Sequence, residues 1–144
     1  MNVLVIVPAY NEQMNIKEVI SKLSKYVPEM DYLIIDDCSR DNTAEICKKM
    51  NYNFISLPIN LGIGGGVQAG YKYALQNGYD IAVQHDGDGQ HDPRYIRAAI
   101  APIANGSADI VIGSRFLARS EGGGFQSTAA RRIGIRLLSG LVRL

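Results

Sequence analysis

Five short apolar runs, separated by stretches of helical periodicity, limit this chain to few architectures. The runs are Asn2–Val7, Tyr32–Ile35, Phe54–Leu57, Asp80–Gln84 and Asp109–Gly113. The first is continuously aliphatic and β-branched, the pattern of a strand covered on both faces. Between the first two runs, Ile16, Val19, Ile20, Leu23 and Val27 recur at helical spacing until Pro28 ends the pattern. Asp41–Met50 predicts a second helix, capped by Asp41 or Asn42, with Ala44, Ile46 and Cys47 facing inward. A glycine-rich loop, Asn60–Gly70, leads into a helix through Tyr73, Ala74 and Leu75, and Tyr95–Ile103 predicts another. Strands alternating with helices specify an α/β domain: a mostly parallel, Rossmann-like sheet with helices on both faces.

The chain has 144 residues, enough for one domain with a real core. Fifteen Lys and Arg nearly balance 14 Asp and Glu, so no overall field recruits nucleic acid. The two cysteines, Cys38 and Cys47, form neither a disulfide framework nor a zinc pair, and read as reduced thiols of a cytosolic protein. No apolar run approaches the ~20 residues that span a bilayer.

In parallel sheets, ligands sit beyond the carboxyl ends of the strands. Glu12, the pair Asp36 and Asp37, the pair Asp86 and Asp88, and Arg115 each follow a strand and would crowd one rim. The densest group is Asp86-Gly-Asp88, with Gln90 adding a neutral oxygen. Two carboxylates around one glycine can converge on a hard cation that also holds a diphosphate. Oxygen-rich ligation suits Mg2+ or Mn2+ better than zinc or iron, despite His85 and His91 on either side. His85 is expected to pack or hydrogen-bond, and His91 is a candidate extra ligand. An EF-hand is excluded, because His91 stands where its glycine belongs and Arg97 where its closing glutamate belongs. Asp92 before Pro93 has the form of a helix start, with Asp92 as cap.

Other features carry two readings each. Asp36 and Asp37 either cap the turn at Ser39–Asp41 or accept hydrogen bonds from a base or ribose. Gly64-x-Gly66-x-x-Ala69 fits a dinucleotide fingerprint, but that fingerprint belongs after the first strand, where Pro8–Glu12 holds no glycine. The run either binds phosphate at a helix N-terminus or lets a loop pass close to a ligand or the sheet. Arg115 is either a surface residue or a phosphate clamp. Residues 117–127 form a glycine-rich loop. The basic amphipathic stretch from about Ala129 to Leu144 either packs its apolar face on the domain or meets anionic lipid or a phosphorylated acceptor.

Taken together, Val7-Pro-Ala-Tyr-Asn-Glu12, Ile35-Asp-Asp-Cys-Ser39, Asn60-Leu-Gly-Ile-Gly64, Asp86-Gly-Asp-Gly-Gln-His-Asp-Pro93 and Gly113-Ser-Arg115 resemble the family 2 glycosyltransferases of GT-A fold. The polyprenyl-phosphate sugar transferases, dolichyl-phosphate mannose synthase among them, are the branch most similar in look. The resemblance implies a nucleotide pocket at Pro8, Ala9, Tyr10, Glu12 and Asp37, with Asp36 beside it. It implies a metal motif at Asp86, Asp88 and Gln90, and phosphate or acceptor contacts at Arg115 and Arg131. It also implies inverting transfer of a sugar from a UDP- or GDP-sugar to a polyprenyl phosphate or glycan, at the cytoplasmic face of the cell membrane. The family's general base would lie beyond Leu144, so residues 1–144 are expected to be the nucleotide-sugar-binding part of the domain. A sugar nucleotidyltransferase and a non-catalytic nucleotide-binding fragment, dimeric through exposed apolar surface, are the alternatives.

Overall fold

Asn2 and Asp80 directly precede two neighbouring parallel strands, and Asp80 N donates to Asn2 O at 2.9 Å. The computed structural model describes residues 1–113, which take in the unit Met1–Val111 and the first two residues of a second unit, Ile112–Leu144. The expected features at Ser114–Phe116, 117–127 and 129–144, with Arg115 and Arg131, lie outside the described residues.

The elements alternate as expected: β1 (Val3–Ala9), α1 (Ile16–Tyr26), β2 (Asp31–Asp36), α2 (Thr43–Lys49), β3 (Phe54–Ser56), α3 (Gly62–Gln76), β4 (Ile81–Gln84), a 3-10 turn (Pro93–Tyr95) and α4 (Ile96–Ala104). The sheet order is β3-β2-β1-β4, and every pairing is parallel. β1 lies between β2 and β4, and all seven of its residues are buried, which explains its unbroken apolar run.

Strand alternation divides the core in two. Val3, Val5 and Val7 face α1, α2 and α4, where they meet Ile16, Leu23, Cys47, Ile96 and Ile100. Leu4 and Ile6, with Leu33 and Ile35 of β2, face the opposite way and pack against Ala69, Tyr73 and Ala74 of α3. Helices therefore cover both faces. α1 buries Ile16, Val19, Ile20 and Leu23, the stripe its sequence displays. Among the described residues, no helix is long and apolar enough to cross a membrane.

Two expectations are corrected. The run Asp109–Gly113 forms no strand, and Ile110 is 78% exposed. Apolar content alone does not make a strand, which needs a partner edge and a face to bury. The glycine-rich run is helix, not loop, since α3 begins at Gly62. A Cβ on Gly70 would run into Ile6 Cγ2, so glycine at this position allows α3 to press directly on the sheet.

Candidate nucleotide and metal site

β1, β2 and β3 step outward in one direction, and β4 returns to the other side of β1. This places the sheet's switch point between β1 and β4, where open α/β sheets bind ligands. A cleft of about 330 Å³ opens there. Pro8, Ala9, Tyr10 and Glu12 line it from the end of β1, and Asp37 from the end of β2. Asn60, Gly62, Ile63 and Gly66 contribute from the start of α3, and Asp86, Gly87 and Asp88 from the end of β4.

Strand ladders that continue past the strand ends draw these loops together. Asp37 N donates to Ala9 O at 2.9 Å, His85 N to Ile6 O at 2.9 Å, and Gly87 N to Pro8 O at 3.2 Å. Asp37 is 4% exposed. Its Oδ1 accepts from Leu61 N at 2.7 Å, and its carbonyl accepts from Asn60 Nδ2 at 3.1 Å, so it anchors the start of α3. Asp36 is oriented differently. It is 2% exposed, outside the cleft lining, and both oxygens are engaged: Oδ1 by Ser39 N at 3.2 Å and Oδ2 by Ser56 Oγ at 2.6 Å. Adjacent residues leaving a strand point to opposite sides, so the two aspartates do not share one pocket.

At the end of β4, Asp86 Oδ1 accepts from Gln84 Nε2 at 2.9 Å, while Oδ2 lies 3.8 Å from His91 Nε2. Asp88 Oδ1 accepts from Gln90 N at 2.9 Å. Gln90 itself is exposed and does not line the cleft. Among the described residues, no group of three or more His, Cys, Asp or Glu could hold a metal. Two half-buried carboxylates in one cleft nevertheless fit Mg2+ or Mn2+, which keep several positions for phosphate and water.

His85 is buried, with its ring edge against His91 at 5.8 Å between centroids. Neither ring nitrogen has a hydrogen-bond partner among the described residues. Burial, and then the neighbouring His91, hold its pKa below the ordinary histidine value and keep it neutral. Burial, with the Asp36 carboxylate nearby, pushes the Cys47 thiol up to about 11, and neither cysteine is in a disulfide.

The start of α3 supplies four lining residues, of which only Gly66 belongs to the Gly64-x-Gly66 run singled out in the sequence. Their signal was Asn60-Leu-Gly62, a turn motif in front of a helical pattern.

The family model described as glycosyl transferase family 2 matches residues 4–139. This chain belongs to that family. Relatives include undecaprenyl-phosphate mannosyltransferase of Micrococcus luteus, 34% identical over 120 residues, with 80% of this chain and 49% of the relative covered. Another is UDP-N-acetylglucosamine–dolichyl-phosphate N-acetylglucosaminyltransferase of Methanococcus voltae, 38% identical over 130 residues, covering 78% and 51%. The chain spans about half the length of these curated family 2 relatives. Among solved structures, S. aureus TarS 1–349 in complex with UDP is 28% identical with a TM-score of 0.59, over 73% of this chain and 32% of that one. Glucosyl-3-phosphoglycerate synthase from Mycobacterium tuberculosis, solved with Mn2+, UDP and glucosyl-3-phosphoglycerate, shares the fold at 23% identity and a TM-score of 0.57, over 71% and 39%. The parallel sheet and its helices match these GT-A neighbours.

Proposed function

We propose that residues 1–144 are the nucleotide-sugar-binding part of an inverting glycosyltransferase that draws on a UDP- or GDP-sugar. One observation carries this reading: the cleft at the switch point, where the β1 turn and Asp37 meet Asp86 and Asp88. Tyr10 is a half-exposed aromatic on which a base can stack, and Asp37 is an acceptor for a base or ribose. Asp86 and Asp88 would hold Mg2+ or Mn2+, which when bound stabilises the negative charge gathering on the departing diphosphate. Gln90 and Asp36 take supporting places, Gln90 through its backbone N–H to Asp88 and Asp36 as acceptor from the Ser39 backbone N–H. Transfer is a single displacement on the sugar, with a polyprenyl phosphate as acceptor. The names of the relatives favour that acceptor over a free glycan. Arg115 and Arg131 would then meet phosphate, and such an acceptor brings the enzyme to the inner membrane face.

The test is the melting shift of the chain with UDP, GDP and their sugar conjugates, in Mn2+ or in EDTA. A metal-dependent shift with one nucleotide is expected, and Asp88→Ala removes it. The absence of a shift with every nucleotide, also in a chain extended to the full length of the relatives, would overturn the reading.

A further inference from the structure

The turn after β1 and the turn after β2 are tied together by hydrogen bonds that cross between them. Asn11 N donates to Ser39 Oγ at 2.9 Å, and Arg40 N donates to Asn11 Oδ1 at 2.8 Å. Glu12 N donates to Thr43 Oγ1 at 2.8 Å, and that hydroxyl donates onward to Asp41 Oδ1. Gln13 N donates to Asp41 Oδ2 at 3.1 Å, and Asn42 N donates to Gln13 Oε1 at 3.1 Å. Both turns hold a non-glycine residue in the left-handed region, Asn11 at φ 58° and Cys38 at φ 59°. Such conformations persist where the surroundings hold them.

Neither Thr43 nor Asn11 lines the cleft, but Tyr10 and Glu12, on either side of Asn11, do. Thr43 is fully buried. The start of α2 is already served by Asp41, which accepts from Thr43 N at 2.9 Å. The Thr43 hydroxyl is therefore not needed as a cap, and its partner lies across the gap in the turn that faces the cleft. We infer that Thr43 and Asn11 are positioning residues for the nucleotide: they hold the β1–α1 turn in the shape that presents Tyr10 and Glu12 to the cleft. The inference rests on the nucleotide-binding reading above.

The experiment measures binding of UDP and of GDP, with Mn2+, to the 144-residue chain, well below the melting temperature of each variant. Thr43→Val keeps shape and volume but removes the hydroxyl, Thr43→Ser restores it, and Asn11→Gly keeps the left-handed backbone without the side-chain bond. Thr43→Val and Asn11→Gly are expected to weaken the bound nucleotide about tenfold, the scale of one lost hydrogen bond. Thr43→Ser is expected within about twofold of the parent. Because binding is read on folded protein, a purely structural role would lower the melting temperature and leave affinity unchanged. That result in either weakened variant overturns the inference alone, and if Thr43→Val does not fold, Asn11→Gly decides. A parent chain that binds neither nucleotide, also when extended to the full length of the relatives, overturns the nucleotide reading and this inference with it.

Discussion

Gly87 lies against Pro8 so closely that a Cβ on it would stand 2.8 Å from the Pro8 carbonyl oxygen. The glycine between the two aspartates is thus required by the backbone of β1, which accepts its amide at 3.2 Å. Gly87→Ala is expected to push the Asp86–Asp88 turn off the end of β1. The cost is about 1–3 kcal/mol of stability, because the clashing atom is backbone and cannot rotate away. Denaturant melts measure that loss, and nucleotide titrations in Mn2+ should show weaker binding beside it. An unchanged midpoint would mean that the turn relaxes freely.

Gly70→Ala addresses the other close approach. Its methyl would meet Ile6 in the centre of the sheet, and helix propensity alone would predict stabilisation. Overpacking opposes this by about 1–3 kcal/mol, so a net loss is expected. Calorimetry decides the sign, and a higher melting temperature would show that α3 shifts without penalty.

His85→Leu should raise stability. A buried imidazole without hydrogen-bond partners among the described residues carries a desolvation cost of about 1–3 kcal/mol that an apolar side chain of similar volume does not. A lower melting temperature in the variant would show that the imidazole is satisfied after all.

Acid should loosen the paired turns. Partial burial raises the Asp41 carboxyl, but hydrogen bonds from the Thr43 hydroxyl and amide and from the Gln13 amide outweigh it and leave the pKa below the ordinary aspartate value. A depressed folded pKa means that the contribution is complete above the unfolded value, near 3.9, and is lost as pH falls through the folded one. Melting temperature followed from pH 6 downward should therefore fall less steeply in Asp41→Asn than in the parent below about pH 4. Parallel curves would exclude Asp41 from the acid response.

Much of the fold was legible because it follows from periodicity. The stripe Ile16, Val19, Ile20 and Leu23 became the buried face of α1, and the unbroken run in β1 became the central strand. Asp92 caps the turn that Pro93 opens, accepting from Arg94 N at 3.0 Å. The alternation that separates Asp36 from Asp37 was also present in the sequence, and two consecutive residues reading as one pair concealed it.

Local pattern, a property of the chain alone, determined the α/β class, the positions of β1 to β4 within a residue or two, and the rim on which the polar turns fall. Tertiary structure decided what depends on a neighbour far along the chain. Position 70 of α3 needs glycine because Ile6 lies beneath it, and Asp109–Gly113 forms no strand. Asp37 faces the cleft while Ser39 and Ser56 hold Asp36 beneath it. Thr43 reaches Glu12 across 31 residues of sequence. Spacing along the chain sets which way a side chain leaves its own element, but only packing sets what it meets there.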